Sequence, residues 1–395
     1  MQSLIRLRCP LLFNGDKFSR QASLEIRADR ITAVGADQDP AAIQLPEGYV
    51  VAPGLIDIQA NGGGGLLFND SPDRATVRHI AAAHARCGTT ALLPTFITDA
   101  PHRLDAAVAA VRSCIEAGDP GIVGVHLEGP FLQARRRGTH REDFIAAWSD
   151  GDLERLTALG NAGRTLITLA PECVGRSQIR ALAAAGALVF AGHTEATHAQ
   201  LRDAAEGGGV IGVTHLFNAM SQLGPREAGA LGYALLHPEL WAGLILDGHH
   251  VARESFELAW RLRGREHTIL VSDAMPPAGS SQTRFMLQGR EITVRDGRCV
   301  DAGGTLAGAA ITLADAVRIG IQLYGLQPQD ALYCATLAPS RLLGLQAERG
   351  CLQAQARADL VVFDPGYRVA AVMQAGRWIR ADGALGPLLV AGATA

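Results

Sequence analysis

Apolar, β-branched runs recur along the chain, separated by stretches in which apolar and polar positions alternate at helical spacing. Eight runs read as strands: GLIDIQA (54–60), TALLPTF (90–96), GIVGVHLE (121–128), TLITLAP (165–171), ALVFAGH (187–193), GVIGVTH (209–215), GLILDG (243–248) and TILVSD (268–273). Runs this continuously apolar suit strands buried on both faces, as in a parallel sheet. Between them, RATVRHIAAAHARCG (74–88), RLDAAVAAVRSCIEAG (103–118) and RESFELAWRLRG (253–264) place apolar residues at i, i+3, i+4 and end on a glycine, the pattern of an amphipathic helix with its stop signal. Eight strand-helix alternations predict an α/β protein built as a (β/α)8 TIM barrel.

Both ends of the chain break this pattern. SLEIRADRITAVGA near the start and ADLVVFDPGYRVAAVMQAGRW near the end are short strand-like segments with turn signals. The expectation is one small β-sandwich domain assembled from residues 1–52 and 350–395, with the barrel occupying 53–349. FMLQGREITVRDGRCVDAGG (285–304) predicts a β-hairpin insertion ahead of the last helix, near ITLADAVRIGIQLYG (311–325).

A chain of 395 residues accommodates a barrel of about 250 residues and a smaller domain. No stretch reaches the roughly 18 uninterrupted apolar residues of a membrane span. The opening segment carries Arg6 and Arg8 within its apolar stretch and has no small-residue cleavage site, so a cytoplasmic address is expected. Seven cysteines without a C-x-x-C pair read as reduced thiols filling the core. With a formal net charge of −3 and one basic run, Arg135-Arg136-Arg137, nucleic acid is not an expected partner. That triplet suits a solvated loop, with a binding role open because it follows a polar strand end.

Barrel active sites sit at the C-terminal ends of the strands, so ionisable residues there carry more weight than elsewhere. Strand one ends in Gln59-Ala60-Asn61, strand three in His126-Leu127-Glu128, strand five at His193, strand six at His215 and strand eight at Asp273; strand four runs into Glu172, and strand seven precedes Asp247 and His249-His250. One carboxylate with two imidazoles, Glu128, His193 and His215, suits a divalent zinc- or iron-type ion that keeps positions open for water and substrate. Asp273 beside such an ion suits a general base that takes a proton from water and later returns it to a leaving group.

These segments carry a family resemblance. HLEGPF (126–131) followed by RRRGTH (135–140), AGH (191–193), THLFNAM (214–220), DGHHV (247–251) and VSDAM (271–275) resemble, in order and spacing, the N-acetylglucosamine-6-phosphate deacetylases of the amidohydrolase superfamily. The resemblance runs from PGLIDIQANG (53–62) to ADLVVFD (358–364). It implies hydrolysis of the N-acetyl group of N-acetylglucosamine 6-phosphate to glucosamine 6-phosphate and acetate. It also implies metal ligation by Glu128, His193 and His215, with Asp273 as the proton-transfer group. His140 matches a residue that contacts the substrate near the sugar and its carbonyl. Asn218 and Ala219 match contacts to the phosphate, and His250 matches a histidine that binds the sugar phosphate. Arg226 resembles an arginine supplied by the neighbouring subunit, which implies a homodimer.

Gln59 and Asn61 occupy a position where related barrels carry His-x-His. Neutral amides are poor zinc ligands beside imidazole and carboxylate, so one metal ion per subunit is expected, zinc with iron(II) as the alternative. Gly62-Gly63-Gly64-Gly65 suggests either backbone passing close to the sugar or a plain flexible turn. Two further readings remain open: deacetylation of N-acetylgalactosamine 6-phosphate, and a non-catalytic sugar-phosphate binding protein on the same scaffold. A hydrolase of cyclic amides is disfavoured, because TLAPE (168–172) offers no bridging lysine after strand four.

Overall fold

The computed structural model describes residues 4–35, 40–383 and 385–391. The parts of the expected terminal domain at residues 1–3, 36–39, 384 and 392–395 lie outside the described residues, as does the start of the opening segment.

Eight parallel strands form the barrel sheet: β1 (Leu55–Ala60), β2 (Thr89–Ile97), β3 (Gly124–Glu128), β4 (Arg164–Leu169), β5 (Leu188–Ala191), β6 (Val210–Val213), β7 (Trp241–Leu244) and β8 (Thr268–Leu270). They pair in sequence order, each with its predecessor. The ring closes through a parallel bridge between Ala60 and Ala274, with the Asp273 amide donating to the Gln59 carbonyl and the Asn61 amide to the Ala274 carbonyl. Every residue of β1, β2 and β3 is buried, as the continuous apolar runs require.

A chain of polar residues inside the barrel is paired. His126 places Nε2 2.8 Å from Thr168 Oγ1, and Thr168 Oγ1 lies 2.6 Å from Thr214 Oγ1. Such pairing avoids the desolvation penalty, about 1–3 kcal/mol, of an orphaned buried donor or acceptor.

Helices cover the outside. The helix at Arg74–Arg86 begins on Asp73, whose side chain accepts from the Thr76 amide, and Pro101 opens the helix at Pro101–Glu116, where a missing amide hydrogen costs nothing. The helix at Arg253–Arg263 stops at Gly264, where φ is +63°. No helix among the described residues is long and apolar enough to cross a membrane.

The terminal segments pair as one eight-stranded sheet containing Leu4–Phe13, Phe18–Arg27, Arg30–Gly35, Ile43–Gln44, Val50–Pro53, Leu360–Phe363, Val369–Gln374 and Arg377–Ala381. The sheet curls so that Arg30, on one edge strand, is bridged to Arg357, just before Leu360–Phe363. The sandwich-like layering thus arises from one sheet folded over its own core, which includes Leu7, Leu24, Ile26, Leu360 and Val362.

In place of the two-stranded hairpin expected at 285–304, the chain makes a four-stranded antiparallel meander: Arg284–Leu287, Arg290–Arg295, Arg298–Val300 and Leu306–Ala309. Its last strand docks on the segment after β8, with the Met275 amide donating to the Ala309 carbonyl and the Ala309 amide to the Asp273 carbonyl. The short apolar core of Phe285, Leu287, Ile292 and Cys299 explains why two strands do not suffice: an isolated hairpin has no second face to bury.

Candidate active site

Several strands stop short of the runs that predicted them, and the residues that leave the sheet carry the chemistry. His193 lies two residues beyond β5, His215 two beyond β6 and Asp273 three beyond β8, with φ of +48°, +33° and +47°. Left-handed backbone is costly for a residue with a Cβ and clusters at functional sites. Here it turns all three side chains inward over the barrel mouth.

Glu128, at the end of β3, is the meeting point. His193 Nε2 and His215 Nε2 each lie 3.1 Å from Glu128 Oε1, and 3.1 Å from each other. The opposite ring nitrogens face carbonyl oxygens: His193 Nδ1 is 2.8 Å from the Arg136 carbonyl and His215 Nδ1 is 3.2 Å from the Asn218 carbonyl. A carbonyl only accepts, so both rings hold their hydrogen on Nδ1 and turn an Nε2 lone pair toward the carboxylate. Three acceptor atoms within 3.1 Å of one another have no hydrogen of their own to share, and this donor set fits a divalent cation. Burial works against charge on Glu128, but protons on the two Nε2 atoms, standing where a cation would, outweigh it and hold the carboxyl well below its usual range. Burial likewise opposes charge on His215, and such a proton, donated to Glu128, overrides it and raises the imidazole.

A second grouping shares two of these residues: Glu128, His140 and His193 present ligand atoms all within 4.8 Å of one another. His215 makes the tighter contacts, at 3.1 Å to both Glu128 and His193, and the geometry favours it over His140 in the set. Burial pushes the His140 imidazole down to about 3. Its Nδ1 lies 2.9 Å from Thr98 Oγ1.

Asp273 faces a different environment. Asn61 Nδ2 donates to its Oδ1 at 2.7 Å, and Gln59 Nε2 reaches both Asp273 Oδ1 at 3.2 Å and Glu128 Oε1 at 3.4 Å. Burial, followed by repulsion from Glu128, pushes its carboxyl up to about 6, with His215, His250 and the Asn61 amide pulling the other way. Behind it, Ser272 Oγ donates to the buried Asp57 at 2.5 Å, tying β1 to the end of β8. Nothing in the LIDIQA run except a carboxylate inside an apolar strand pointed to Asp57.

On the other side of the mouth, His250 places Nδ1 2.7 Å from Asp247 Oδ2. Asp247 Oδ1 accepts from the amides of His249 and His250. A cavity of about 350 Å3 is lined by Glu128, His140, His193, His215, Asn218, Ala219, His250, Asp273 and Asn61. Of the two adjacent histidines, His250 faces it. Arg226 is exposed and does not line this chain's cavity. Glu172 is turned away: it accepts from Thr194 Oγ1 at 2.5 Å and from the Glu195 amide at 2.6 Å, holding the loop after β5.

Other lining residues carried little signal in the sequence. Arg135 and Arg136 line the cavity while Arg137 pairs outward with Glu142, so the basic triplet is divided by the loop's turn. Thr305, Leu306 and Gly308 come from the meander, which also fastens the His140 loop through Arg290 bonded to the Thr139 carbonyl. The glycine run does not line the cavity. A Cβ on Gly63 would meet His84 Nε2 at 2.6 Å and one on Gly64 would meet Ala83 Cβ at 2.7 Å, so its smallness serves packing against the helix at Arg74–Arg86.

The profile of the family described as "Amidohydrolase family" matches residues 50–379. The chain belongs to the amidohydrolase family. This amidohydrolase is 40% identical over 339 residues to the N-acetylgalactosamine-6-phosphate deacetylase of Shewanella sp. (strain ANA-3), covering 86% of this chain and 85% of that protein. It is 30% identical over 335 residues to the N-acetylglucosamine-6-phosphate deacetylase of Haemophilus influenzae, covering 84% and 87%. Its fold superposes on the crystal structure of N-acetylglucosamine-6-phosphate deacetylase from Pasteurella multocida with a TM-score of 0.91 and 29% identity, covering 96% of this chain and all of that one. As an amidohydrolase it is a hydrolase of the metal-dependent kind, which agrees with the acceptor cluster around Glu128.

Proposed function

We propose that this amidohydrolase removes the N-acetyl group of N-acetylglucosamine 6-phosphate, giving glucosamine 6-phosphate and acetate. The observation that carries the reading is the convergence of His193 Nε2 and His215 Nε2 on Glu128 Oε1, with the buried Asp273 carboxyl alongside in the same cavity. Glu128, His193 and His215 hold one divalent ion, zinc with iron(II) as the alternative, and Gln59 and Asn61 leave no second ligand set. When bound, the ion supplies Lewis-acid chemistry. Asp273 takes the proton of the attacking water and delivers it to the departing amine; a carboxyl near pH 6 suits both halves of that task. His140, Asn218, Ala219 and His250 hold the sugar phosphate.

The exposure of Arg226 supports a homodimer in which this guanidinium reaches the neighbouring subunit's phosphate, where its fork geometry suits an anion of nearly two charges. Residues 1–52 with 350–395 act as a supporting β-domain for the 53–349 barrel, and the enzyme works in the cytoplasm on a small amino-sugar phosphate.

One observation favours a second reading. The Shewanella relative at 40% identity is named for the galacto sugar, whose only difference is the orientation of one hydroxyl. Acetate release from the two sugar phosphates, with metal content determined on the same sample, tests both. A faster rate on the gluco sugar with about one ion per subunit is expected. A tenfold or greater preference for the galacto sugar transfers the assignment, and metal-free protein releasing no acetate makes this a binding protein.

A further inference from the structure

We propose that Arg135 supplies a guanidinium contact to the substrate's phosphate from within the same chain, which makes it a specificity-determining residue for the phosphorylated sugar. The proposal rests on the cavity being the site that hydrolyses an amino-sugar phosphate. The three arginines that follow β3 have three different surroundings. Arg137 turns outward and pairs with Glu142 at 3.4 Å. Arg136 lines the cavity, but its Nε donates to Glu195 Oε1 at 2.5 Å, so its charge is already matched. Arg135 lines the cavity too, is exposed, and forms no ion pair or side-chain hydrogen bond among the described residues. One guanidinium of the triplet therefore stands at the cavity without a counter-charge.

The loops of the mouth bring that group toward Asn218 and Ala219. The Gln133 amide donates to the His193 carbonyl at 2.9 Å, the Thr194 amide to the Ala219 carbonyl at 3.0 Å, and the Ser221 amide to the Thr194 carbonyl at 2.9 Å. The loops after β3, β5 and β6 are thereby laced side by side. Arg135 sits in the short 3-10 turn Ala134–Arg136 of the first loop, and the Arg136–Glu195 pair fastens that turn to the second.

The charge balance of the cavity calls for such a group. Besides Arg136 and the histidines, the charged side chains that line it are the carboxylates of Glu128 and Asp273, whereas a phosphate monoester brings nearly two negative charges at neutral pH. A guanidinium presents N–H donors in a planar fork that matches phosphate oxygens, and an unpaired one gives up no partner when it binds. The buried Glu128 and Asp273 form the floor of the cavity, and the exposed Arg135 stands at its open end. A sugar phosphate whose amide reaches the floor leaves its phosphate toward that end.

The test compares hydrolysis of the phosphorylated and unphosphorylated N-acetyl sugars by the full-length wild type, Arg135→Gln and Arg135→Lys. Arg135→Gln is expected to raise KM for the phosphorylated sugar about 10-fold, the worth of one charge-assisted hydrogen bond at an exposed position. The loss falls on KM more than on kcat, and the preference for the phosphorylated sugar drops by the same factor. Arg135→Lys, which keeps the charge without the fork, is expected to fall between wild type and Arg135→Gln. An unchanged KM in Arg135→Gln, equal losses on both sugars, or a lysine variant as defective as the glutamine one overturns the proposal. Calorimetric titration with glucosamine 6-phosphate and with glucosamine gives a readout independent of turnover, in which Arg135→Gln is expected to weaken binding of the phosphorylated sugar alone. Should the protein release no acetate from either sugar phosphate, the functional reading fails while the titrations still decide the phosphate contact.

Discussion

Two sides of the barrel mouth, about equally buried, are built from opposite hydrogen-bonding chemistry. At the ends of β5 and β6, His193 and His215 turn lone pairs toward Glu128, because backbone carbonyls hold their hydrogens at the far side of each ring. At the end of β1, Gln59 and Asn61 turn amide hydrogens toward Asp273 and Glu128. The first side lacks positive charge and fits a cation. The second side already supplies donors to its carboxylate and has no such need. The difference also separates the two carboxyls: Glu128 is driven down by positive charge held between it and its imidazoles, while Asp273 is driven up by burial and by Glu128 itself. Pairs of titratable groups pushed apart in this way divide the labour of acid-base chemistry.

The largest effect should come from the acceptor side. Chelation is expected to reduce turnover to background, and zinc added back at about one ion per subunit to restore it; two tightly bound ions, measured by elemental analysis, would erase the distinction between the two sides. Asp273→Asn is expected to lower kcat by about 10²- to 10⁴-fold while metal content stays constant, and near-normal turnover would remove Asp273 from its role. Arg226→Ala, far from both sides, is expected to raise KM for the phosphorylated sugar by about 10- to 100-fold, the worth of one charge-assisted hydrogen bond. Equal effects on the unphosphorylated sugar would contradict its assignment to the phosphate.

The smallest effect concerns the donor side. In its proposed role Asp273 acts as a base only when ionised, so kcat/KM is expected to fall as pH drops through its pKa, about 6 from burial and Glu128, and lower with a divalent cation alongside. The Asn61 amide stabilises the ionised form, so Asn61→Leu raises that pKa. Its pH profile should show the acid limb moved to higher pH, and an unmoved or downward limb would mean that the amide does not act on Asp273.

Much of this was legible in the one-dimensional pattern. Strand runs such as TALLPTF and GIVGVHLE announced barrel strands because a parallel strand is apolar on both faces, and the polar residues closing most of the runs announced the rim. The meander was read one hairpin short, since FMLQGREITV and GRCV are too exposed and too brief to show a period, and what makes them strands is the small core under Phe285 and Ile292. Glycines 62–65 suggested a ligand contact or a flexible turn, but the neighbours that demand small residues, His84 and Ala83, lie about twenty positions away. Arg135 and Arg136 could not be separated from Arg137, because which guanidinium faces inward depends on a turn of the loop rather than on composition.

The sequence by itself determined the class of fold, the order of its strands and the residue types arriving at the rim, because strand burial and strand-end chemistry are local patterns that repeat eight times. Only the tertiary structure decided which nitrogen of His193 and of His215 is free, and which of His249 and His250 faces the cavity. Those outcomes depend on hydrogen-bond partners tens of residues away, such as the Arg136 carbonyl behind His193. A proton's position is set by what surrounds it in space, and no spacing along the chain records that.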